Sequence, residues 1–542
     1  KMSAWYARRI PLPLHDWPLA ALVAAFLLPG LVGHDPWKTE DAIGIGVVHQ
    51  MLSTGNWLTP TLAGEPFLQD GPVYFWVAAV FVRLLDFVLP THEAARFAST
   101  FFVLLALWWI RLAARELYGR TEGDLSMLAL LGCLGLMWHA HETAPDMAMI
   151  AGLAGAYYGI AITQRAPLRG GVFYGLGCGL AFLAKGLFGV AQPLLAALLV
   201  LLCSTAYRRR EFGFAVATGL AVLAPFAAIW PFLLHSEAPA YYQAWWAWQI
   251  QNITSAPRWE YILDTAKTLS WAAWPAWPLT LWATWAYRHR LREPGYAVPF
   301  MAGLVSLVML MFVESPDEMD TLVMLVPLAI PAGSAAVRLG RGAVNALAWF
   351  AIMTFTLIGA FMWLMWFAAL TGIPAKLAAN AHRLQPGWEM SVHPVALIGA
   401  LALTAGWLIL VFRSERSNLR ALTHWAAGAT LCWGLAATLW LDWIDHGRSY
   451  RSVAESLRAQ LPEHYGCIES RGLRLPQRGL FDYHAGLETR RREVHGTTDC
   501  AYLLVQTSTR ERAAHPGPEW VQVWEGSRPR DRERYRLYRR QG

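Results

Sequence analysis

The sequence predicts an all-α polytopic membrane protein of about 13 membrane-spanning helices, followed by a small soluble tail domain. Three observations predict it. Soluble chains carry roughly 25% charged residues, whereas this chain of 542 residues carries 15% and is 56% hydrophobic, with 29 Trp and 23 Phe. Apolar runs near the roughly 20 residues that a span requires recur from Leu14 to Leu441, separated by short polar loops. Residues 442–542 contain no such run. They are Arg-rich, lack Lys, and alternate short apolar strands with turns.

The expected spans are 14–32, 93–114, 124–139, 146–163, 170–184, 187–206, 213–235, 268–287, 298–313, 321–337, 344–370, 393–412 and 425–441. The first lacks a small-residue cleavage site after it and is expected to stay as an anchor. A further apolar stretch, 72–90, contains Arg83 and Asp86. Counting it as a span would invert every later loop, and basic residues decide against that. With the N-terminus inside, the inner loops collect Lys1, Arg8, Arg9, Arg115, Arg120, Arg165, Arg169, Arg208, Arg209, Arg210 and the later Arg groups at 288–292, 338–341 and 413–420. The outer loops hold far fewer, as the positive-inside rule requires. Stretch 72–90 is therefore expected as an interfacial or re-entrant helix in an outer loop spanning 33–92. The domains are then 1–441, in the membrane, and 442–542, on the outer face. The net charge of +7 follows from this topology, so no nucleic-acid partner is needed. The six cysteines form no CxxC pair. Cys467 and Cys500 both fall in the outer tail, where an oxidising compartment favours a disulfide, while Cys133, Cys178, Cys203 and Cys432 fall in spans.

A carboxylate or lysine near membrane depth is costly and points to function. The first outer loop carries Lys38, Glu40 and Asp41. The second runs His139-Ala140-His141-Glu142-Thr143-Ala144-Pro145-Asp146. A third turn holds Lys185, one of only five lysines. Structural roles stay open for each. Glu40 and Asp41 suit a helix N-terminus, Asp146 suits a cap, and Lys185 can snorkel to headgroups. His139 and His141 form a sparse metal-ligand pattern, and a divalent cation stays open.

The order of motifs resembles the polytopic GT-C glycosyltransferases that use polyprenyl-phosphate sugars, related to the lipid A aminoarabinose transferase and the protein O-mannosyltransferases. The resemblance is carried by Glu40-Asp41, Gly55-Asn56-Trp57-Leu58-Thr59-Pro60, Gly64-Glu65-Pro66-Phe67-Leu68-Gln69-Asp70-Gly71-Pro72 running on to Tyr74 and Trp76, Ala144-Pro145-Asp146-Met147, Leu183-Ala184-Lys185-Gly186, the Pro275–Pro278 kink, and Ser315-Pro316-Asp317-Glu318 before Pro327 and Pro331. It implies the GT-C fold, a small periplasmic α/β tail domain, a bacterial inner-membrane location with a cytoplasmic N-terminus, and a monomeric enzyme that moves a sugar from a polyprenyl-phosphate donor to lipid A or another envelope glycan. It also implies roles. Glu40, with Asp41 as its alternate, acts as base or positions the acceptor. Asp146 orients sugar or acceptor, Lys185 holds the donor phosphate, and Asp70 and Tyr74 stand on the substrate side. Two family cations are missing, at Ile43 and Asp70, for which Lys38 or Arg258 are candidate replacements. Direct displacement would invert the anomeric carbon. A protein O-glycosyltransferase of the same fold, a lipid-linked-sugar transporter and a non-catalytic lipid-binding subunit remain as alternatives.

Overall fold

Prolines, glycines and distant indoles, as much as the apolar runs, decide where the helices of this chain break. The computed structural model describes residues 14, 16–313, 316–496, 498–508 and 516–541. The expected inner-face residues Lys1, Arg8 and Arg9, and Ser315 of the third motif, lie outside the described residues. The membrane region consists of α1 Asp16–Leu27, α2 Glu40–Thr54, α3 Val73–Leu85, α4 Thr91–Leu117, α5 Arg120–Leu131, α6 Leu134–His139, α7 Asp146–Ile162, α8 Pro167–Cys203, α9 Arg210–Glu237 and α10 Pro239–Thr254. It continues with α11 Ile262–Ala272, α12 Ala276–Ala286, α13 Pro294–Leu310, α14 Glu318–Thr321, α15 Leu325–Arg338, α16 Arg341–Thr371, α17 Ala375–Leu384, α18 Pro394–Arg413 and α19 Arg420–Leu439. A two-stranded ribbon, β1 Thr61–Leu62 with β2 Glu65–Pro66, lies between α2 and α3.

Among the described residues, six helices are long and apolar enough to cross a membrane: α4, α8, α9, α14 with α15, α16 and α18. The chain is a multi-pass membrane protein. On α18, Val395, Ile398 and Phe412 are largely exposed, which suits a lipid-facing surface. The α1, α3, α7 and α13 helices are apolar but shorter. At about 1.5 Å of rise per residue, the 12 residues of α1 and the 13 of α3 fall short of a bilayer's hydrocarbon thickness.

Four expected spans differ from their sequence reading. Span 124–139 divides into α5 and α6, because Gly132 packs against the Trp425 ring and its carbonyl accepts a hydrogen bond from the Trp425 indole at 2.8 Å. Span 268–287 divides at Pro275, whose missing N–H cannot continue the ladder. The separate spans 170–184 and 187–206 are two limbs of one hydrogen-bonded run, α8, whose backbone leaves helical geometry at Lys185 and Gly186.

The tail continues with α20 Leu441–Arg448, α21 Arg451–Arg458, β3 Ile468–Arg471, α22 Leu475–Ala485, β4 Thr489–Arg491, α23 Arg492–His495, β5 Tyr502–Ser508, β6 Trp520–Gly526 and β7 Glu533–Arg540. Its sheet has the order β4-β3-β5-β7-β6, with β3 parallel to β4 and β5 and the other pairs antiparallel. A disulfide joins Cys467 to Cys500, Cα to Cα 5.1 Å, at the entries of the neighbouring strands β3 and β5. The tail grips the first loop. Arg451 pairs with Asp35, Lys38 Nζ lies 2.5 Å from Glu533, Gln50 donates to Asp482 at 2.7 Å, and buried Arg478 pairs with Glu65 at 3.0 Å.

Candidate active site

Four chain segments converge on a cavity of about 390 Å³. Glu40 enters it from the first turn of α2, Asp70 from the loop before α3, Asp146 from the first residue of α7, and Lys185 from the break in α8. Two glycines permit the convergence. The Gly71 N–H donates to the Ala184 carbonyl at 2.6 Å, and a Cβ there would lie 2.1 Å from the Leu183 carbonyl oxygen. Gly186 has φ +61, where glycine is the default residue, and a Cβ would meet the Gln249 amide at 2.4 Å. Gln249 in turn accepts the Leu187 N–H at 2.9 Å, capping the second limb of α8. Lys185 is thus fixed at the break. Its Nζ lies 2.5 Å from Asp70 and 3.0 Å from Asp146.

Asp317, the N-cap of α14, and Asp320, within α14, add to the polar lining. Among the described residues lining the cavity, Lys185 is the only cation, against Glu40, Asp70, Asp146, Asp317 and Asp320. Burial, then the negative charges of Asp146, Asp317 and Asp70, push the Glu40 carboxyl well above the usual carboxylate range. Burial likewise raises Asp70, against the pull of Lys185, to about 6.

The acidic pair divides its labour. Glu40 opens onto the cavity. Asp41 does not, a correction to its expected catalytic position. It is fully buried and receives Arg96 Nη2 at 2.6 Å, the Thr143 N–H and hydroxyl, each at 2.7 Å, and the Trp37 N–H at 3.3 Å. Burial works to raise its carboxyl, but Arg96 holds it below the usual range. The reason is geometric, because the next residue along a helix points roughly 100° away. Arg96 also donates to the carbonyls of Leu31, His34 and Asp35, so it staples the first loop to α4.

A second cavity, of about 680 Å³, lies on the other side of Glu40 and shares Glu40, Asp317 and Met319 with the first. Lys38, Trp138, His139, Glu142 and Arg448 also line it. Lys38 is engaged by Glu533 and is absent from the first cavity's lining, so it does not replace the missing cation there. Arg258 also lies off both linings, its backbone N–H bound to the Met311 carbonyl at 2.7 Å. Tyr74 is buried, its hydroxyl 2.7 Å from that of Ser99, and touches neither cavity. His141 is committed elsewhere. Its two ring nitrogens lie 2.7 and 3.0 Å from the Phe26 and Met137 carbonyls, and burial lowers it to about 4. His139 pairs with Glu142 instead. Among the described residues, no group of three His, Cys, Asp or Glu side chains is placed to hold a metal ion.

The family profile described as dolichyl-phosphate-mannose-protein mannosyltransferase matches residues 69–233, which include Asp70, Asp146 and Lys185. The undecaprenyl phosphate-alpha-4-amino-4-deoxy-L-arabinose arabinosyl transferase of Aeromonas salmonicida is 25% identical over 79% of this chain and 78% of its own length. A transferase of the same name from Pseudomonas fluorescens is 25% identical over 59% of this chain, and the match spans 58% of its own length. The crystal structure of ArnT from Cupriavidus metallidurans bound to undecaprenyl phosphate superposes with a TM-score of 0.69 at 17% identity, covering 96% of this chain and 97% of that one. The chain has the fold of that structure and is similar in sequence to these transferases.

The cavity is strongly acidic, with five carboxylates among the described residues lining it. Four further residues that shape it were not singled out from sequence. Nothing local in the sequence marks Arg96 as the partner of Asp41. Asp317 enters the sequence reading only as part of the Ser315-Pro316-Asp317-Glu318 motif, and Asp320 lies two residues beyond it. Gln249 is a neutral residue on α10, signalled by nothing but its distance from any charge.

Proposed function

We propose that this chain is an inverting glycosyltransferase that moves a sugar from an undecaprenyl-phosphate-type donor to lipid A or another envelope glycan. The reaction takes place at the periplasmic face of a bacterial inner membrane. About 13 membrane segments, counting the broken ones, a cytoplasmic N-terminus and a periplasmic tail belong to this reading, as does a monomeric state. The observation that carries it is Lys185, held by Asp70 and Asp146 in the cavity that Glu40 faces.

In the transfer, an acceptor oxygen attacks the anomeric carbon while the bond from that carbon to the phosphate oxygen breaks. The polyprenyl phosphate leaves with the electron pair. Its growing negative charge is met by Lys185, already in place in a partly dry cavity, where a fixed charge stabilises more than it does in water. Asp146 fixes the ammonium and, with Gln192 and Asn252 nearby on the lining, offers hydrogen bonds to sugar hydroxyls. Glu40 aligns the reacting groups between the two cavities. A single displacement inverts the anomeric centre.

The test is a comparison of envelope glycolipids by mass spectrometry in cells with and without the gene, with undecaprenyl phosphate titrated onto the purified protein. A product that appears only with the gene and carries an inverted linkage supports the reading. An unchanged glycolipid profile together with no binding of undecaprenyl phosphate refutes it.

A further inference from the structure

The second cavity is lined by a histidine arranged as a base. His139 ends α6 and is 7% exposed. Its Nδ1 lies 2.8 Å from Glu142 Oε2. A carboxylate only accepts, so Nδ1 carries a hydrogen, and in the neutral ring Nε2 presents its lone pair. That Nε2 is buried and has no hydrogen-bond partner. The nearest carboxylate oxygen, Glu318 Oε2, stands 3.6 Å away, beyond hydrogen-bond range. A buried ring nitrogen without a partner is costly, and His139 is one of the residues lining the second cavity.

The supporting carboxylate is itself anchored. The Glu142 carbonyl accepts the Ser99 hydroxyl at 2.5 Å, and the following residue, Thr143, is bound twice by Asp41. The result is a nitrogen base oriented by a carboxylate that the backbone holds still, the arrangement that activates a hydroxyl nucleophile. Glu40, on the wall shared with the donor-side cavity, is poorly suited to that task, because burial and its acidic neighbours favour its protonated form.

We propose that His139 is the general base for a hydroxyl acceptor entering through the second cavity, with Glu142 as its positioning residue. This deepens the glycosyltransferase reading and rests on it. The acceptor O–H gives its proton to His139 Nε2, and its oxygen forms the new bond to the anomeric carbon. The old bond to the phosphate breaks, and the polyprenyl phosphate departs with that pair. Release of the proton from the imidazolium to water resets the site. The acceptor class is therefore an amphiphile presenting a hydroxyl. Trp138, Trp271 and Met137 supply an apolar wall, and Arg448, stacked 4.7 Å above the Trp138 ring, supplies a cation at the cavity.

The test returns full-length variants to cells lacking the gene, quantifies product glycolipid by mass spectrometry, and titrates purified protein with undecaprenyl phosphate. His139→Gln is expected to lower product formation by about 100-fold or more with undecaprenyl phosphate affinity unchanged. His139→Gly is expected to regain product in membranes supplied with imidazole, and less with triazole, a weaker base of similar size. Glu142→Gln is expected to lower the rate with the same unchanged affinity. Near-native product from His139→Gln, or rescue that ignores base strength, overturns the proposal. So does loss of undecaprenyl phosphate binding in His139→Gln, which would make the residue structural or donor-side. A native chain that neither binds undecaprenyl phosphate nor forms product would instead bring down the glycosyltransferase reading beneath it.

Discussion

Glu40 and Asp41 are neighbours in the chain, yet one carboxylate opens onto the candidate active site and the other is sealed against Arg96 at 2.6 Å. Their substitutions should therefore fail in different ways. Glu40→Ala is expected to lose activity by about 100-fold or more, the effect of removing one preorganised polar group, with the fold retained. Glu40→Gln keeps the shape and a donor, and should lose less. It should also be more stable than the native protein at neutral pH. A carboxyl held above its ordinary range destabilises the fold as pH rises beyond the usual carboxylate value, and glutamine removes that penalty. The gain should shrink as pH falls. Asp41→Asn leaves a buried guanidinium unpaired, a change that typically costs about 3–5 kcal/mol. Thermal unfolding across pH and turnover separate the two residues.

The lysine and its two carboxylates predict a pair of opposite binding effects. Lys185→Met removes the one cation among the described residues on the cavity lining and should weaken undecaprenyl phosphate binding by about tenfold or more, roughly 1.4 kcal/mol. Asp70→Asn releases Lys185 from its 2.5 Å partner and removes a negative charge from the phosphate's surroundings, so affinity should rise. A titration of both purified variants checks this. Weaker binding in Asp70→Asn would mean that Asp70 serves the lysine mainly as a scaffold.

Much of this site was legible in the sequence, for physical reasons. Glu40, Asp146 and Lys185 are costly groups at apolar borders, and cost near a membrane marks them. What the sequence hid were relationships set by distant partners. Nothing local shows that Asp41 meets Arg96, so the pair stayed undivided. Nothing around Gly132 shows that Trp425 will take its carbonyl and end the helix. Periodicity found the apolar segments but not their breaks, which depend on tertiary contacts as well as on Pro275. The two histidines at 139 and 141 suggested a shared ligand. The fold instead directs His141 to carbonyls and His139 to Glu142.

The seam between the tail and the first loop should be acid-sensitive. Burial works to raise Glu533 and Asp35. Lys38 and Tyr535 nevertheless hold Glu533 at about 2, and Arg451 and Ser449 hold Asp35 at about 2. A depressed carboxyl contributes stability above its ordinary range and loses it as pH falls through the folded value. The grip on the loop should therefore weaken between about pH 4 and pH 2. Glu533→Gln should remove part of that transition, by no more than about 1 kcal/mol once solvent screening is allowed for. Limited proteolysis of the 33–92 loop over an acid titration reads it. A transition unchanged in the variant would place the acid sensitivity elsewhere.

The disulfide anchors the same seam from further away. Cys467 and Cys500 are separated by 33 residues and stand at the entries of adjacent strands β3 and β5. The sheet they close is the one whose β7 begins with Glu533, the partner of Lys38. Closing a loop of this length contributes on the order of 3–4 kcal/mol by restricting the unfolded chain. Cys467→Ser with Cys500→Ser should destabilise the tail by about that amount, and reductant should have the same effect on the native protein but none on the double variant. Because Lys38 lies two residues before Glu40, loosening of the tail should also lower turnover while undecaprenyl phosphate still binds at Lys185. Thermal unfolding with and without reductant, alongside a product assay, checks both. Alkylation of Cys467 or Cys500 in the untreated native protein would show that the bond is not formed in the cell.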